Sequence, residues 1–291
     1  MSEVALGRVG RRLFLGGAIS TGIIGNFIGC EGKKPMRMPL AFVSHSAPTL
    51  ALDAVKSEPF RKWGEALPKP KAILAISAHW EKSPPTVGTL GQMPLVYDFY
   101  GFPEPLYRIE YPAPGAPWLF ERIQSLLGGR TAHLPDRGLD HGVWVPLLHL
   151  FPGADVPVLQ ISMPSSEGAK ALFELGKKLA VLRNEGVFIL GSGGWVHNLR
   201  KIDFPDRGNP PPEWAVQFDG WAADAVMRRD IDALLDYRSK APGFSLAHPS
   251  EDHWLPLIVV AGAASESADS ARSVIEGFEF GSLGRRSVQI G

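Results

Sequence analysis

The sequence predicts an α/β domain in which helices flank a central, largely parallel or mixed β-sheet. Short apolar runs alternate with amphipathic segments along the chain, which is the pattern of repeated strand–helix units. The 291 residues are 45% hydrophobic, enough to bury one large core or two modest ones. Acidic and basic side chains are equal in number, 30 each, whereas a nucleic-acid binder normally has a basic excess. We therefore expect a small-molecule partner and no nucleic acid.

Four apolar runs predict buried strands, and the segments between and after them predict helices. The strands are "MPLAFV" at 38–43, "KAILAIS" at 71–77, "VPVLQIS" at 156–162 and "VFILG" at 187–191. The helices are 54–66, 117–127, 166–184 and 213–228. Pro211 and Pro212 mark the entry to the last of them, and a final strand is expected near 272–280. In such sheets, ligands bind at the carboxyl ends of the strands.

Residues 1–34 are predicted to form an export signal, separate from the single domain at 38–291. Arg11 and Arg12 precede an apolar, glycine-rich stretch, and this arrangement resembles a twin-arginine signal. Cys30, the only cysteine of the chain, ends the stretch at the position of a bacterial lipoprotein cysteine. The expected location is periplasmic, with membrane attachment through a lipidated Cys30. An uncleaved anchor or a disordered tail is the alternative.

Histidines from separated segments point to a metal site. His45, His79 and His197 each follow a predicted strand, and His253 lies just before a further predicted helix. Imidazole is a ligand for zinc, iron, copper and nickel. The sequence contains neither an HExxH motif nor paired CxxC motifs, so the common metalloprotease and zinc-finger signatures are absent.

Three further histidines are expected to have structural roles. His133 lies in a polar loop, and His149 lies in an apolar, helix-like run. His248 is also predicted to be a loop residue, although its closeness to His253 makes it a candidate substitute ligand.

Six motifs carry a family resemblance. They are "HSAP" at 45–48, "SAHW" at 77–80, "YDFYGFPEPLYRIEYPAPG" at 97–115, "GLDHGVWVPL" at 138–147, "GSGGWVHNL" at 191–199 and "DHWLPL" at 252–257. In this order they resemble the class III extradiol ring-cleavage dioxygenases, most of all the bacterial and plant 4,5-DOPA dioxygenase-like branch. The resemblance covers nearly all of 38–263, and six motifs together are far more specific than any one.

The resemblance implies a non-haem metal centre at the carboxyl end of the sheet. The metal ligands that it implies are His45, His79 and His253. His197 matches a fourth histidine that faces the metal in zinc-containing members of the branch, or else supplies a catalytic hydrogen bond. His141 matches the family's acid–base histidine, and adjacency suggests that Asp140 orients its ring.

Two departures from the wider family bear on the site. Ser46 stands where the first motif usually has glycine, so a Cβ and a hydroxyl lie next to a ligand, where they could tighten the pocket or supply a hydrogen bond. The second departure is His253, which replaces the carboxylate ligand of many extradiol enzymes. An all-histidine site binds Zn(II) as well as Fe(II), so the sequence leaves the metal open.

The expected activity is extradiol cleavage of a catechol-type ring with O2, giving a muconic semialdehyde-type product. Fe(II) suits this reaction because O2 reacts slowly with catechols without a redox metal, and zinc has no accessible redox change. A zinc hydrolase and a non-catalytic metal-binding protein are the alternatives. Arg108 and Arg200 are candidates for binding a substrate carboxylate, with surface ion pairs as the other interpretation. The aromatic residues expected to line the pocket or pack in the core are Trp80, Tyr97, Phe99, Tyr100, Phe102, Trp144, Trp195 and Trp254.

Overall fold

Apolar runs form the centre of a mixed eight-stranded sheet in the computed structural model, which describes residues 37–291. The predicted export signal, with Arg11, Arg12 and Cys30, lies outside the described residues and stays a prediction. The strands are Leu40–Ser44 (β1), Ala72–Glu81 (β2), Thr86–Val87 (β3), Ala132–His133 (β4), Val158–Met163 (β5), Val187–Gly193 (β6), Ala271–Ile275 (β7), Phe278–Glu279 (β8), Leu283–Gly284 (β9) and Ser287–Ile290 (β10).

The four predicted strands lie side by side and parallel in the middle of this sheet. The strand order is β4-β3-β5-β2-β6-β1-β10-β7, and β8 pairs with β9 in a separate hairpin. Within the central part, β5, β2, β6 and β1 are all parallel, whereas β10 runs antiparallel to β1 and β3 antiparallel to β5. The carboxyl ends of the four central strands therefore share one edge.

Helices cover both faces of the sheet, because successive strand residues point to opposite sides. The helices are Ala54–Ala66 (α1), Pro117–Leu126 (α2), His141–Leu150 (α3), Ala169–Leu179 (α4), Glu213–Met227 (α5), Ile231–Leu235 (α6), Tyr237–Lys240 (α7), Phe244–Ala247 (α8) and Leu255–Ala264 (α9). Ala41 and Val43 of β1 belong to the core under α1 and α3. Leu40 and Phe42 belong to the core under α4 and α9. No helix within residues 37–291 is long and apolar enough to cross a membrane.

Three elements differ from their predicted form. The helix expected at 166–184 is shorter, because Gly168 has a φ of 84° and separates a short 3-10 turn from α4. The strand expected near 272–280 is broken into β7 and β8, with Gly277 at a φ of 98° between them. Strand β2 continues past its predicted end, so His79 lies within the strand rather than after it.

The crossing of α4 and α9 offers a test of this packing. A Cβ at Gly262 would lie 2.0 Å from the carbonyl oxygen of Phe173, so Gly262→Ala should destabilise the protein by about 1–3 kcal/mol. Gly220 is the matched control, since it lies within α5 and a Cβ there would meet nothing within 4 Å. Gly220→Ala should stabilise by about 0.5–1 kcal/mol through its better helix propensity. Urea unfolding measures both, and equal effects of the two changes would contradict the packing.

Candidate metal centre

The ends of β1 and β6 bring three of the predicted histidines to one place. His45 follows β1 directly, and its backbone N–H donates to the carbonyl oxygen of Gly193 (3.1 Å) at the end of β6. The next residue, Gly194, donates its N–H to the carbonyl oxygen of His253 (3.0 Å). A Cβ at Gly193 would lie 2.1 Å from that same oxygen, so only glycine lets the His253 segment approach so closely. His197 follows on the same glycine-rich turn.

Five imidazole rings cluster at this edge. Nε2 of His45 lies 3.1 Å from Nε2 of His79. One nitrogen from each of His45, His79 and His141 lies within 4.8 Å of the other two. The ring of His253 lies 5.3 Å from that of His45 and 5.0 Å from that of His79, and His197 stacks on His253 with centroids 3.5 Å apart.

Burial keeps three of these imidazoles, those of His45, His79 and His197, neutral. Loss of solvent, and then repulsion from the neighbouring histidines, holds the pKa of His45 well below its usual value. The same two causes lower the pKa of His79 to about 3 and that of His197 to about 2. Neutral imidazole is the form that donates a lone pair to a metal ion.

On two of the rings, a hydrogen bond at Nδ1 leaves the lone pair of Nε2 to face a metal ion. His45 Nδ1 lies 3.0 Å from the hydroxyl oxygen of Ser192, and His253 Nδ1 lies 2.6 Å from Oδ2 of Asp252. Nε2 of His253 is buried without a hydrogen-bond partner among the described residues. An acceptor at one nitrogen and a lone pair on the other is the usual arrangement of a metal-binding histidine.

These residues fit a transition-metal ion. Metal–imidazole bonds are about 2.0–2.1 Å long, so two nitrogen ligands of one ion lie roughly 3 Å apart, as Nε2 of His45 and of His79 do. The unpartnered Nε2 of His253 is a further donor of the same kind. Neutral imidazole nitrogens bind both Fe(II) and Zn(II).

Asp98 holds His141, a role that adjacency in the sequence wrongly suggested for Asp140. Oδ1 of Asp98 accepts from Nδ1 of His141 (2.8 Å) and from its backbone N–H (3.0 Å). Asp140 is fully buried and instead accepts from Ser77 (2.7 Å), Arg137 and Gln160. Burial alone would raise the pKa of Asp98, but its hydrogen bond and charge interaction with His141 outweigh that and lower it to about 2.

Sequence reasoning missed Asp98 because it used "YDFYG" as part of a family motif and as a source of aromatic walls, and gave its carboxylate no role. The signal was available, since Asp98 is the single acidic residue among the aromatic residues of that stretch. Oδ2 of Asp98 also lies 3.5 Å from Nδ1 of His79, so one carboxylate faces two rings of the cluster.

His133, His149 and His248 have surroundings apart from the five-ring cluster. His149 Nε2 lies 3.1 Å from the carbonyl oxygen of Leu50, and His248 Nε2 lies 3.1 Å from that of Trp195. His133 is exposed at the end of β4. These three histidines have the structural roles expected of them. Nε2 of His248, which was the candidate substitute ligand, is instead in contact with a backbone carbonyl oxygen.

The predicted aromatic residues divide between the site and the core. Phe99 meets the His141 ring edge-on at 5.7 Å, and Phe102 packs on Phe99 at 5.4 Å. Trp195 and Trp254 are fully buried in the core, whereas Tyr100 is 92% exposed. The remaining members of the predicted set are Trp80, which lies against Arg137, and Tyr97 and Trp144, which contact Phe99. Arg108 pairs at the surface with Glu104, as its alternative interpretation expected.

Comparison with known proteins gives one consistent result. The family model described as the catalytic LigB subunit of aromatic ring-opening dioxygenase matches residues 40–289. A 4,5-DOPA dioxygenase extradiol of Beta vulgaris is 42% identical over 242 residues, 78% of this chain and 87% of the relative. A protein of the same name from Escherichia coli K12 is 38% identical over 261 residues, 88% of this chain and 95% of the relative. A crystal structure of an uncharacterized protein from Escherichia coli K12 superposes with a TM-score of 0.75 at 35% identity, covering 88% of this chain and all of that one.

Replacement of the clustered histidines tests the metal centre. His79→Ala and His253→Ala should each lower the bound metal well below one equivalent, because each removes a nitrogen donor of the proposed site. His133→Ala is the control, since His133 is exposed and outside the cluster. Metal content is measured by elemental analysis after saturation and desalting. Full metal content in both His79→Ala and His253→Ala would refute this metal centre.

Proposed function

The chain belongs to the LigB family of aromatic ring-opening dioxygenases, and we propose that it opens a catechol-type ring with O2. The expected product is a muconic semialdehyde-type compound. The observation that carries the proposal is the pairing of His141 with Asp98, in a position where the His141 ring lies 5.3 Å from that of His45 and 4.1 Å from that of His79. A metal ligand set and a proton-transfer group are thus adjacent, as ring opening of a diol requires.

We assign metal binding to His45, His79 and His253, with His197 as a fourth ligand or as a hydrogen-bond donor beside them. The centroids of the first three rings lie 4.9–5.3 Å apart, and the ring of His197 stacks on that of His253. Fe(II), when bound there, would supply the electron exchange that lets O2 react with a diol, which Zn(II) does not supply.

His141 is proposed to move the substrate proton. Asp98 accepts the hydrogen bond from Nδ1–H, so the lone pair lies on Nε2 and that nitrogen is the base. Nε2 would take a hydroxyl proton as the diol binds and return it to oxygen as the ring opens. The carboxylate stabilises the imidazolium that exists between the two steps, as a buried aspartate does beside other catalytic histidines.

The aromatic wall suits a flat substrate. Phe99 lies edge-on to His141, and Tyr107 packs against Phe99 with centroids 5.2 Å apart. Aromatic rings pack favourably edge-on or offset at such distances, so a substrate ring next to His141 would gain contacts with Phe99.

Oxygen uptake tests the proposed reaction. Protein reconstituted anaerobically with Fe(II) is compared with zinc-loaded protein on caffeate, DOPA, protocatechuate and catechol. We expect uptake, with a yellow ring-cleavage product, for the iron form alone. Absence of uptake with fully loaded iron on all four compounds would overturn the proposal. Zinc-dependent turnover without O2 would then favour the hydrolase.

Replacement of Asp98 tests the proton-transfer role. Asp98→Asn should lower kcat of the fully metal-loaded protein by about 10²-fold or more while KM stays close to that of the wild type, because the amide cannot stabilise the imidazolium. Glu104→Gln is the control, since Glu104 lies in the same motif but pairs with Arg108 at the surface. An unchanged kcat in Asp98→Asn would refute the role.

A further inference from the structure

The hairpin formed by β8 and β9 lies against the segments that carry two of the site histidines. It spans 278–284, in a part of the chain where the sequence predicted only a strand and no motif. Neither strand joins the main sheet, so the hairpin does not extend the sheet's hydrogen bonding. Its contacts instead go to the turn after β1 and to the turn after β6.

The contacts to the turn after β1 surround His45. The hydroxyl of Ser44 donates to the carbonyl oxygen of Gly284 (2.9 Å). The hydroxyl of Ser46 donates to the Glu279 carboxylate, which also accepts from the backbone N–H of Ala47. The residues on both sides of His45 are therefore bonded to the hairpin.

The contacts to the turn after β6 surround His197. The N–H of Gly284 donates to the carbonyl oxygen of Val196 (3.0 Å), directly before the histidine. Further along, the N–H of Asp203 donates to the carbonyl oxygen of Phe280 (2.7 Å). The hydroxyl of Ser282 donates to the carbonyl oxygen of Lys201 (3.1 Å). One hairpin thus joins two histidine-bearing turns that are about 150 residues apart in sequence.

The side-chain bond between Ser46 and Glu279 is the distinctive part of this arrangement. Ser46 has a φ of 64°, a conformation that favours glycine, and glycine is what the related motif usually has there. Glu279 is only 3% exposed, and a buried carboxylate is retained only where polar groups compensate its desolvation. Its other oxygen lies 3.6 Å from the ammonium of Lys56.

We propose that the hairpin 278–284, through the Glu279–Ser46 bond, positions His45 relative to His197 and thereby sets the metal affinity of the site. Glu279 and Ser46 are positioning residues, since neither touches the region between the imidazoles except through His45. The inference rests on the metal centre proposed above. Outer-shell partners of metal ligands commonly contribute 10–100-fold to affinity, by holding the ligand in its bound orientation.

Cobalt binding to the full chain tests this inference. Co(II) affinity is measured by visible absorption in competition with a chelator, for Glu279→Ala, Glu279→Gln and the wild type. Glu279→Ala should bind Co(II) about 10–100-fold more weakly. Glu279→Gln should restore most of the affinity, because its amide oxygen can accept from both Ser46 and Ala47. Glu276→Ala is the control, since Glu276 pairs with Arg286 at the surface of the same segment.

The outcomes separate this inference from the metal centre itself. Wild-type protein that binds no Co(II) would refute the metal centre. Wild-type binding with equal affinity in Glu279→Ala would overturn the positioning role alone, and so would equal weakening in the Glu276→Ala control. If Glu279→Ala does not fold, Ser46→Ala decides, with the same expected weakening and the same refutation by unchanged affinity. Thermal unfolding of the metal-free variants, measured in parallel, reports any general loss of stability.

Discussion

The close packing of five largely buried imidazole rings is the constraint on which the rest of the site depends. Burial and repulsion between neighbouring rings lower the pKa values of His45, His79 and His197, so these three rings are neutral. Neutral rings need a defined tautomer, and the surrounding acceptors supply it. Ser192, Asp252 and Asp98 each occupy one nitrogen of a ring and so direct the other nitrogen of that ring.

The backbone makes this crowding possible. Parallel strands bring the ends of β1, β2 and β6 to one edge, at the spacing of adjacent strands. Three chain segments that are distant in the sequence therefore converge there. Gly193 then allows the segment of His253 to contact the end of β6 directly. Rigid elements under a functional site hold its side chains more accurately than loops do. Here the strands support the site on one side and the hairpin 278–284 on the other.

The sequence was informative wherever local pattern decided the structure. The central strands and the helix at 54–66 follow from continuous apolar runs and from a clear helix start at Asp53, and the structure has them close to their predicted bounds. The polar residues at the strand ends could also be predicted from the sequence, since "FVSH", "AISAH" and "LGSGG" each have a serine where the apolar run ends. Pairings between distant segments were not readable. Asp98 reaches His141 across 43 residues, and the two-residue strands of the hairpin have too few positions to show any periodicity.

The position of β10 in the sheet has a consequence for the order in which the domain forms. This strand spans Ser287–Ile290, yet it lies between β7 and β1, and β1 is about 245 residues earlier in the sequence. The edge of β1 that faces away from β6 therefore stays unpaired until β10 docks on it. The turn after β1 likewise lacks its contacts to the hairpin 278–284 until that hairpin docks. Contacts over so much of the sequence form slowly, because closing so long a loop costs entropy before it is rewarded. The ability to capture a metal ion should thus arise late in folding, after most of the core has already been buried.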